Sequence, residues 1–318
     1  MPYYAHHIGD LKRRLVEAID REQLREFHRV RPARHFLVLA RHLALTLGCG
    51  ALLWQGRWPW LWIPAAIVQG FNLLGFVILL HEQVHECIFR NKRPLLHHLL
   101  GRLYTLPVGM SATQFKLWHL AHHDELGSEH DDPKRAHLSP KTNSRWVKFL
   151  YATPALFFIY ARASRCEAAV YPEETLRVIR NERLVSFLGL LAIVAALFAV
   201  GGPWVALRVW AVPLFLTFPL AFTLNRLGQH YNVDPANPAA WSSRVDGNPA
   251  WRFLFLWSNF HIEHHYYPRV PFYNLTRLNR TLRPFFKDER IPNRTYREIV
   301  WGWLALNRAP HTDWDKAR

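Results

Sequence analysis

Residues 58–85 read WPWLWIPAAIVQGFNLLGFVILLHEQVH, an apolar run that ends directly in a spaced histidine pair. A hydrocarbon core of about 30 Å needs about 20 helical residues to cross. Trp58–Leu80 supplies them without one charged side chain. If the helix continues past Leu80, His81 and His85 stand one above the other on one face, where two imidazoles can hold one metal ion.

Three further stretches extend this pattern. Residues 36–56 precede it and contain Arg41 and His42; residues 184–200 and 204–224 follow, with Arg208 near one end of the last. Arginines near the end of a span can snorkel to the interface, and Pro64, Pro213 and Pro219 suggest kinks, which membrane helices accommodate. The links Arg57 to Pro59 and Gly201 to Pro203 are too short to hold a domain, so the spans pair into two hairpins with both links on one side. Residues 1–35, 81–183 and 225–318 fall on the other side and hold 8, 15 and 14 of the 40 Lys and Arg, leaving Arg41, Arg57 and Arg208. Positive excess marks the cytoplasmic side. The fold expected is all-α and membrane-integral: four transmembrane helices in two hairpins beneath a cytosolic helical cap.

Composition agrees. The 318 residues are 50% apolar with a net charge of +16. Such a charge suits nucleic acid or an anionic membrane surface; the apolar runs decide for the membrane, and no nucleic acid is expected. Three scattered cysteines, Cys49, Cys87 and Cys166, form no CxxC, which excludes a disulfide framework and a zinc ribbon. Residues 1–35 lack the pattern of a secretory signal. Their Leu11, Leu15, Val16, Ile19, Leu24 and Phe27 recur at helical spacing, as in a basic amphipathic helix lying on the membrane or packed on the cap. Leu95–Met110 and Trp146–Tyr160 read as interfacial or core helices. Leu275, Leu278 and Leu282, alternating with Arg277, Arg280 and Arg283, read as an interfacial or packed amphipathic helix. The organisation expected is a basic N-terminal segment over 1–35, a membrane domain over 36–285 and a cytosolic tail over 286–318.

The nineteen histidines are the compositional anomaly. After His81 and His85 come His119-Leu120-Ala121-His122-His123 and, later, His261-Ile262-Glu263-His264-His265. In each HxxHH the first histidine pairs with those three and four residues on. One such box is unremarkable in a histidine-rich chain. Three, all on the side that carries the positive charge, point to a shared metal site. His81-Glu82-x-x-His85 also matches the zinc-hydrolase motif. Catalytic zinc needs only three protein ligands, which leaves six boxed histidines without a role. Imidazole suits iron, zinc, copper or nickel, so ligand type alone leaves the ion open. Glu82, Glu86, Asp124, Asp131, Asp132 and Glu263 are the carboxylates placed to orient the rings. The ten other histidines, His6, His7, His28, His35, His42, His97, His98, His130, His137 and His311, read as structural.

These motifs resemble the membrane fatty acid desaturase family, a broad group that includes hydroxylases and carotenoid ketolases. HEQVH is similar to its first box, HLAHHDELGSEHDDP to the second with its acidic tail, and HIEHHYYPRVPFYNL to the third with its flank. The resemblance covers most of residues 36–285. It implies two iron ions bound by His81, His85, His119, His122, His123, His261, His264 and His265, with dioxygen as co-substrate. It also implies a ninth ligand between the fourth span and the third box, for which His230 is the candidate. Some relatives carry an asparagine four residues before that histidine. Here Arg226 holds that place and Asn225 precedes it, so a role for Asn225 is a weak expectation. Neither a fused heme motif nor a cysteine pair for an iron–sulfur cluster occurs. Electrons are therefore expected from a separate ferredoxin, rubredoxin or small cytochrome, which the basic surface could dock. The resemblance implies an oxidoreductase that desaturates an acyl-type chain, with hydroxylation or ketolation as the alternative and a membrane zinc hydrolase or metal-binding protein as the remote one. Substrate is expected from the membrane, in a groove lined by Trp60, Trp62, Phe71, Phe76, Phe215, Phe218 and Phe222. Arginine outnumbers lysine, which suggests a bacterial inner membrane.

Overall fold

A computed structural model describes residues 4–234 and 236–310. Among these the chain is helical, with no β-strand and one isolated bridge between Arg244 and Asn293. Three stretches are long and apolar enough to cross a membrane: Pro32–Gln55, Pro59–Val84 and the nearly continuous Glu173–His230.

The Pro59–Val84 helix is the axis of the molecule. It starts with proline in its first turn, where the missing N–H costs nothing, and runs through Pro64 without interruption. Its second half is buried from Ala65 onward apart from Ile67, Val68, His81 and Gln83, because the Pro32–Gln55 helix, the Pro213–Thr217 segment and the Phe218–His230 helix pack around it. Gly70 allows the closest of these approaches. A Cβ there would stand 2.5 Å from the Thr217 backbone carbon, while the Thr217 hydroxyl donates to the Ala66 carbonyl at 2.7 Å. Gly70→Leu is therefore expected to lower stability by about 3 kcal/mol, the upper part of the overpacking range. Thermal melts of detergent-extracted protein would read this, with Gly48→Leu, which meets open space, melting as the parent does.

The third stretch doubles back on itself. Glu182 accepts from Ser111 and Thr113, and Ser186 donates to the Met110 carbonyl, all close in sequence to the second histidine box. Beyond them Arg208 donates to the Leu53 and Trp54 carbonyls, at the opposite end of the Pro32–Gln55 helix. Asn225 and His230 then return to the histidines. The reversal falls at Gly202, whose φ of 77° and ψ of −179° are open to glycine alone. Past the turn, Leu207–Ala211 and Pro213–Thr217 wind as π-helix around Pro213, where a ring in place of an N–H disturbs the regular ladder.

The remaining elements gather around a core that holds Trp241, Phe255, Phe260, Phe272 and Phe286, all buried. Helix Tyr4–Ala18 turns Leu11 and Leu15 into this core and leaves Val16 out; Tyr267 donates to the Leu15 carbonyl. Of the two dispositions open to this segment, packing on the protein's own core prevails. The same holds for Leu275, Leu278 and Leu282, which are buried rather than interfacial. Residues 286–310 are no loose tail, since Tyr296 and Ile299 are buried and the Tyr296–Val300 helix packs on Phe218–His230. By contrast Leu95, Trp146 and Phe158, on Pro94–Thr105, Arg145–Tyr151 and Ala155–Ala168, point outward at 70–81% exposure, the disposition of helices that lie at an apolar interface.

Candidate metal centre

The three boxes meet in space. The Pro59–Val84 helix does continue past Leu80, carrying His81 in its last turn with His85 as its C-cap. Helix Ala112–Asp124, capped by the Ser111 hydroxyl on Gln114 N–H, presents His119, His122 and His123. Helix His261–Tyr266 presents the third box, and His230 ends Phe218–His230.

The nine imidazoles sort into two groups, each with its ligand atoms within 4.8 Å of one another: His81, His85, His119, His123 and His264 in one, His122, His230, His261 and His265 in the other. Sequence spacing alone treated each HxxHH as one unit, and the structure divides them. Residues four apart on a helix stay within about 40° of each other around its axis, while the residue three on swings to the other side. His119 and His123 thus share one group while His122 joins the second, and His261 and His265 share the second while His264 crosses to the first. The contacts are close: His81–His264 3.0 Å, His85–His119 2.7 Å and His123–His264 3.0 Å between Nε2 atoms in the first group. In the second, His230 stands 3.1 Å from His122 and 3.0 Å from His261, which lies 3.1 Å from His265.

In the second group two tautomers are fixed from outside. His122 Nδ1–H donates to Asp132 at 2.8 Å, and His230 Nδ1–H donates to the Trp241 carbonyl at 3.1 Å. A neutral imidazole carries one proton, so both Nε2 atoms present bare lone pairs to each other at 3.1 Å. Burial keeps these rings neutral: it holds His122 down to about 4 and His119, His123, His261 and His265 well below the ordinary histidine value. Burial alone would raise the Asp132 carboxyl, but His122 and the Gly127 N–H hold it below its usual value, so it remains an acceptor. Facing lone pairs repel unless a cation sits between them. Two nitrogens about 2.1 Å from one ion and at right angles around it stand about 3 Å apart, which is the spacing seen. The donor set fits a pair of imidazole-bound ions.

Of the carboxylates singled out from sequence, Asp132 is the one hydrogen-bonded to a clustered ring. Glu82 accepts the Phe272 N–H through Oε2 at 3.0 Å, and its Oε1 lies 3.9 Å from His81 Nδ1. Glu263 accepts from Asn279 at 2.6 Å. Asp131 is held by Ser128, and Glu86 lies 3.8 Å from Arg269. Among the described residues none of the other histidines joins either group. His35 meets the Tyr104 hydroxyl and His42 the Asn72 carbonyl, while His311 lies outside the described residues.

A cavity of about 110 Å³ opens onto His81, His119 and His261. Of the seven aromatic residues expected to line a groove, Phe222 alone reaches it. Trp60 is two-thirds exposed, Phe71 packs on Phe255, and Phe76 packs on the His42 ring. Their neighbours on the same helix, Leu74, Val77 and Ile78, line it instead, together with Trp118 and Tyr160. Sequence patterning could not separate the buried and cavity-facing sides of a helix surrounded by protein. Asn225 also lines the cavity and accepts from Ser258 at 3.0 Å. Lys134 and Arg226 in the same wall carried no signal in the sequence.

The profile of the fatty acid desaturase family matches residues 57–297. The human sphingolipid delta(4)-desaturase/C4-monooxygenase DES2 is 24% identical, with 86% of this chain and 81% of that protein aligned. An sn-1 oleoyl-lipid 12-desaturase from a Picosynechococcus species is 23% identical over 79% of this chain and 77% of its own. A beta-carotene ketolase from a Paracoccus species is 24% identical over 75% and 87% respectively.

Proposed function

The chain belongs to the fatty acid desaturase family, and from that premise we propose that it is an oxygen-dependent di-iron oxidoreductase that introduces a double bond into a lipid acyl chain. The observation that carries the proposal is the pair of imidazole groups, with His122 and His230 lone pairs facing each other at 3.1 Å. His81, His85, His119, His123 and His264 would hold one iron and His122, His230, His261 and His265 the other. Iron bound there would supply the reductive activation of dioxygen and the removal of hydrogen from an unactivated methylene.

The protein's own part is position and exclusion of water. Asp132 and the Trp241 carbonyl fix which ring nitrogen faces the ion. The apolar wall of Leu74, Val77, Ile78 and Phe222 gives an acyl chain a dry path to His81 and His261. The doubling of Glu173–His230 at Gly202 supports four spans in two hairpins beneath a helical cap. Positive charge on the cap side supports a cytosolic active site in a bacterial inner membrane, served by a separate electron-transfer protein. The domain reading that goes with this is a membrane body over 36–285 with capping segments before and after it.

Expression in a bacterial host with lipid mass spectrometry tests the reading. Products lighter by two hydrogens, formed only under air by protein holding about two iron ions per chain, one for each imidazole group, are expected. Tightly held zinc with full activity under nitrogen would contradict it. A hydroxylase or ketolase is the second reading, favoured by the ketolase and the desaturase/C4-monooxygenase among the relatives; product gaining one oxygen would select it.

A further inference from the structure

The cavity beside the histidines is more than an apolar slot. Lys134 and Arg226 line it together with Trp118, although an acyl chain alone gives a desolvated cation nothing to bind. The Arg226 guanidinium donates to the Tyr160 hydroxyl at 3.0 Å and the Ser139 hydroxyl at 3.3 Å. Among the described residues neither Arg226 nor Lys134 has a carboxylate within 4.0 Å of its charged nitrogens, so neither is ion-paired. Asp132 is the nearest candidate to balance them, and it is already engaged by His122, the Gly127 N–H, the Lys134 N–H and, at 3.5 Å, the Arg135 N–H. The two cations also oppose each other: burial holds the Lys134 ammonium down to about 7, and against the upward pull of Asp132 the charge of Arg226 adds to that lowering. Trp118 adds an indole N–H that is buried without a hydrogen-bond partner.

Two cations with no carboxylate beside them and one indole N–H with no acceptor thus share one wall with His81, His119 and His261. We propose that Lys134, Arg226 and the Trp118 N–H form an oxyanion subsite, so that the preferred substrate is an apolar chain bearing a carboxylate close to the carbons that are oxidised. This rests on the desaturase reading for its chemistry but not for its binding. A carboxylate drawn into the wall would give the Trp118 N–H an acceptor and the two cations a counter-charge. It would also fix how far along the chain the histidine-bound ions reach, and so place oxidation near the carboxyl end.

Calorimetry on the metal-loaded full-length protein tests it, with dodecanoate set against methyl dodecanoate. Dodecanoate is expected to bind roughly tenfold or more tightly, as for a hydrogen bond to a charged group. Lys134→Gln, which leaves the Arg226 contacts untouched, and Arg226→Gln should each remove most of that preference with metal content unchanged, and Arg226→Lys should restore part of it. Equal binding of acid and ester, or no binding of either, would overturn the proposal. So would a preference for the acid that survives both glutamine variants, since the carboxylate would then be held by the metal alone. A clear preference without oxygen-dependent product would leave the subsite standing and count against the desaturase reading.

Discussion

His122→Ala is expected to bring turnover below about one per cent of the parent, a larger loss than the 10–100-fold usual for removing a group outside the ligand shell. The same change should cut retained iron from about two to about one per chain, because His122 belongs to the group of four and not to the group of five. Two features make the result specific. His122 is buried and bound to Asp132 through Nδ1, so only its Nε2 faces the other rings. Its removal leaves His230, His261 and His265, three nitrogens around a position built for four. The control is His35→Phe. His35 is as buried and donates or accepts at the Tyr104 hydroxyl 2.8 Å away, but it lies in neither group. That variant should lose about 1–3 kcal/mol of stability from the orphaned hydroxyl and keep its iron. Metal analysis after dialysis against a chelator, paired with a melt, separates the two. A fully active His122→Ala protein, or one that keeps both ions, would sink the metal assignment.

How much of this was legible in the sequence follows from the physics of each part. The apolar runs fixed the helices Pro32–Gln55 and Pro59–Val84 because length and hydrophobicity are local properties. The histidines were legible as ligands because helical spacing is local too, and His230 only through family resemblance, since a single histidine has no pattern of its own. What local spacing could not show is that His122 parts from His119 and His123, or that His264 parts from His261 and His265. That division depends on where four separate helices are anchored in space. The cavity was misread for a related reason. Phe71 and Phe76 lie on the same helix as Leu74, Val77 and Ile78, and a helix buried on nearly all sides has no amphipathic stripe to say which side faces a void. Amphipathic segments carried a parallel ambiguity. Leu11 and Leu15, or Leu275 and Leu278, could bury against lipid or protein, and only the packed core decides for protein.

Asp132→Ala tests the link between the loop after the second box and the ion beyond it. Asp132 is buried and accepts His122 Nδ1–H at 2.8 Å, Gly127 N–H at 3.0 Å and Lys134 N–H at 2.9 Å. It therefore holds the 127–134 loop and also keeps the His122 proton on Nδ1. Without it, His122 is free to carry its proton on Nε2, the atom that must be bare to bind a cation. Iron affinity and turnover are expected to fall about 10–100-fold, and the orphaned Gly127 and Lys134 N–H groups should cost about 1–3 kcal/mol of stability. Asp132→Asn keeps an acceptor oxygen for His122 and the Lys134 N–H but turns an amide N–H₂ toward the Gly127 N–H. It should recover part of the iron affinity while its stability stays low. This split between the two variants is the diagnostic, because a carboxylate that only braced the loop would lose stability in both without changing iron affinity in either. Iron titration of the two proteins, set beside their melts, decides whether Asp132 positions the ring or merely shapes the turn.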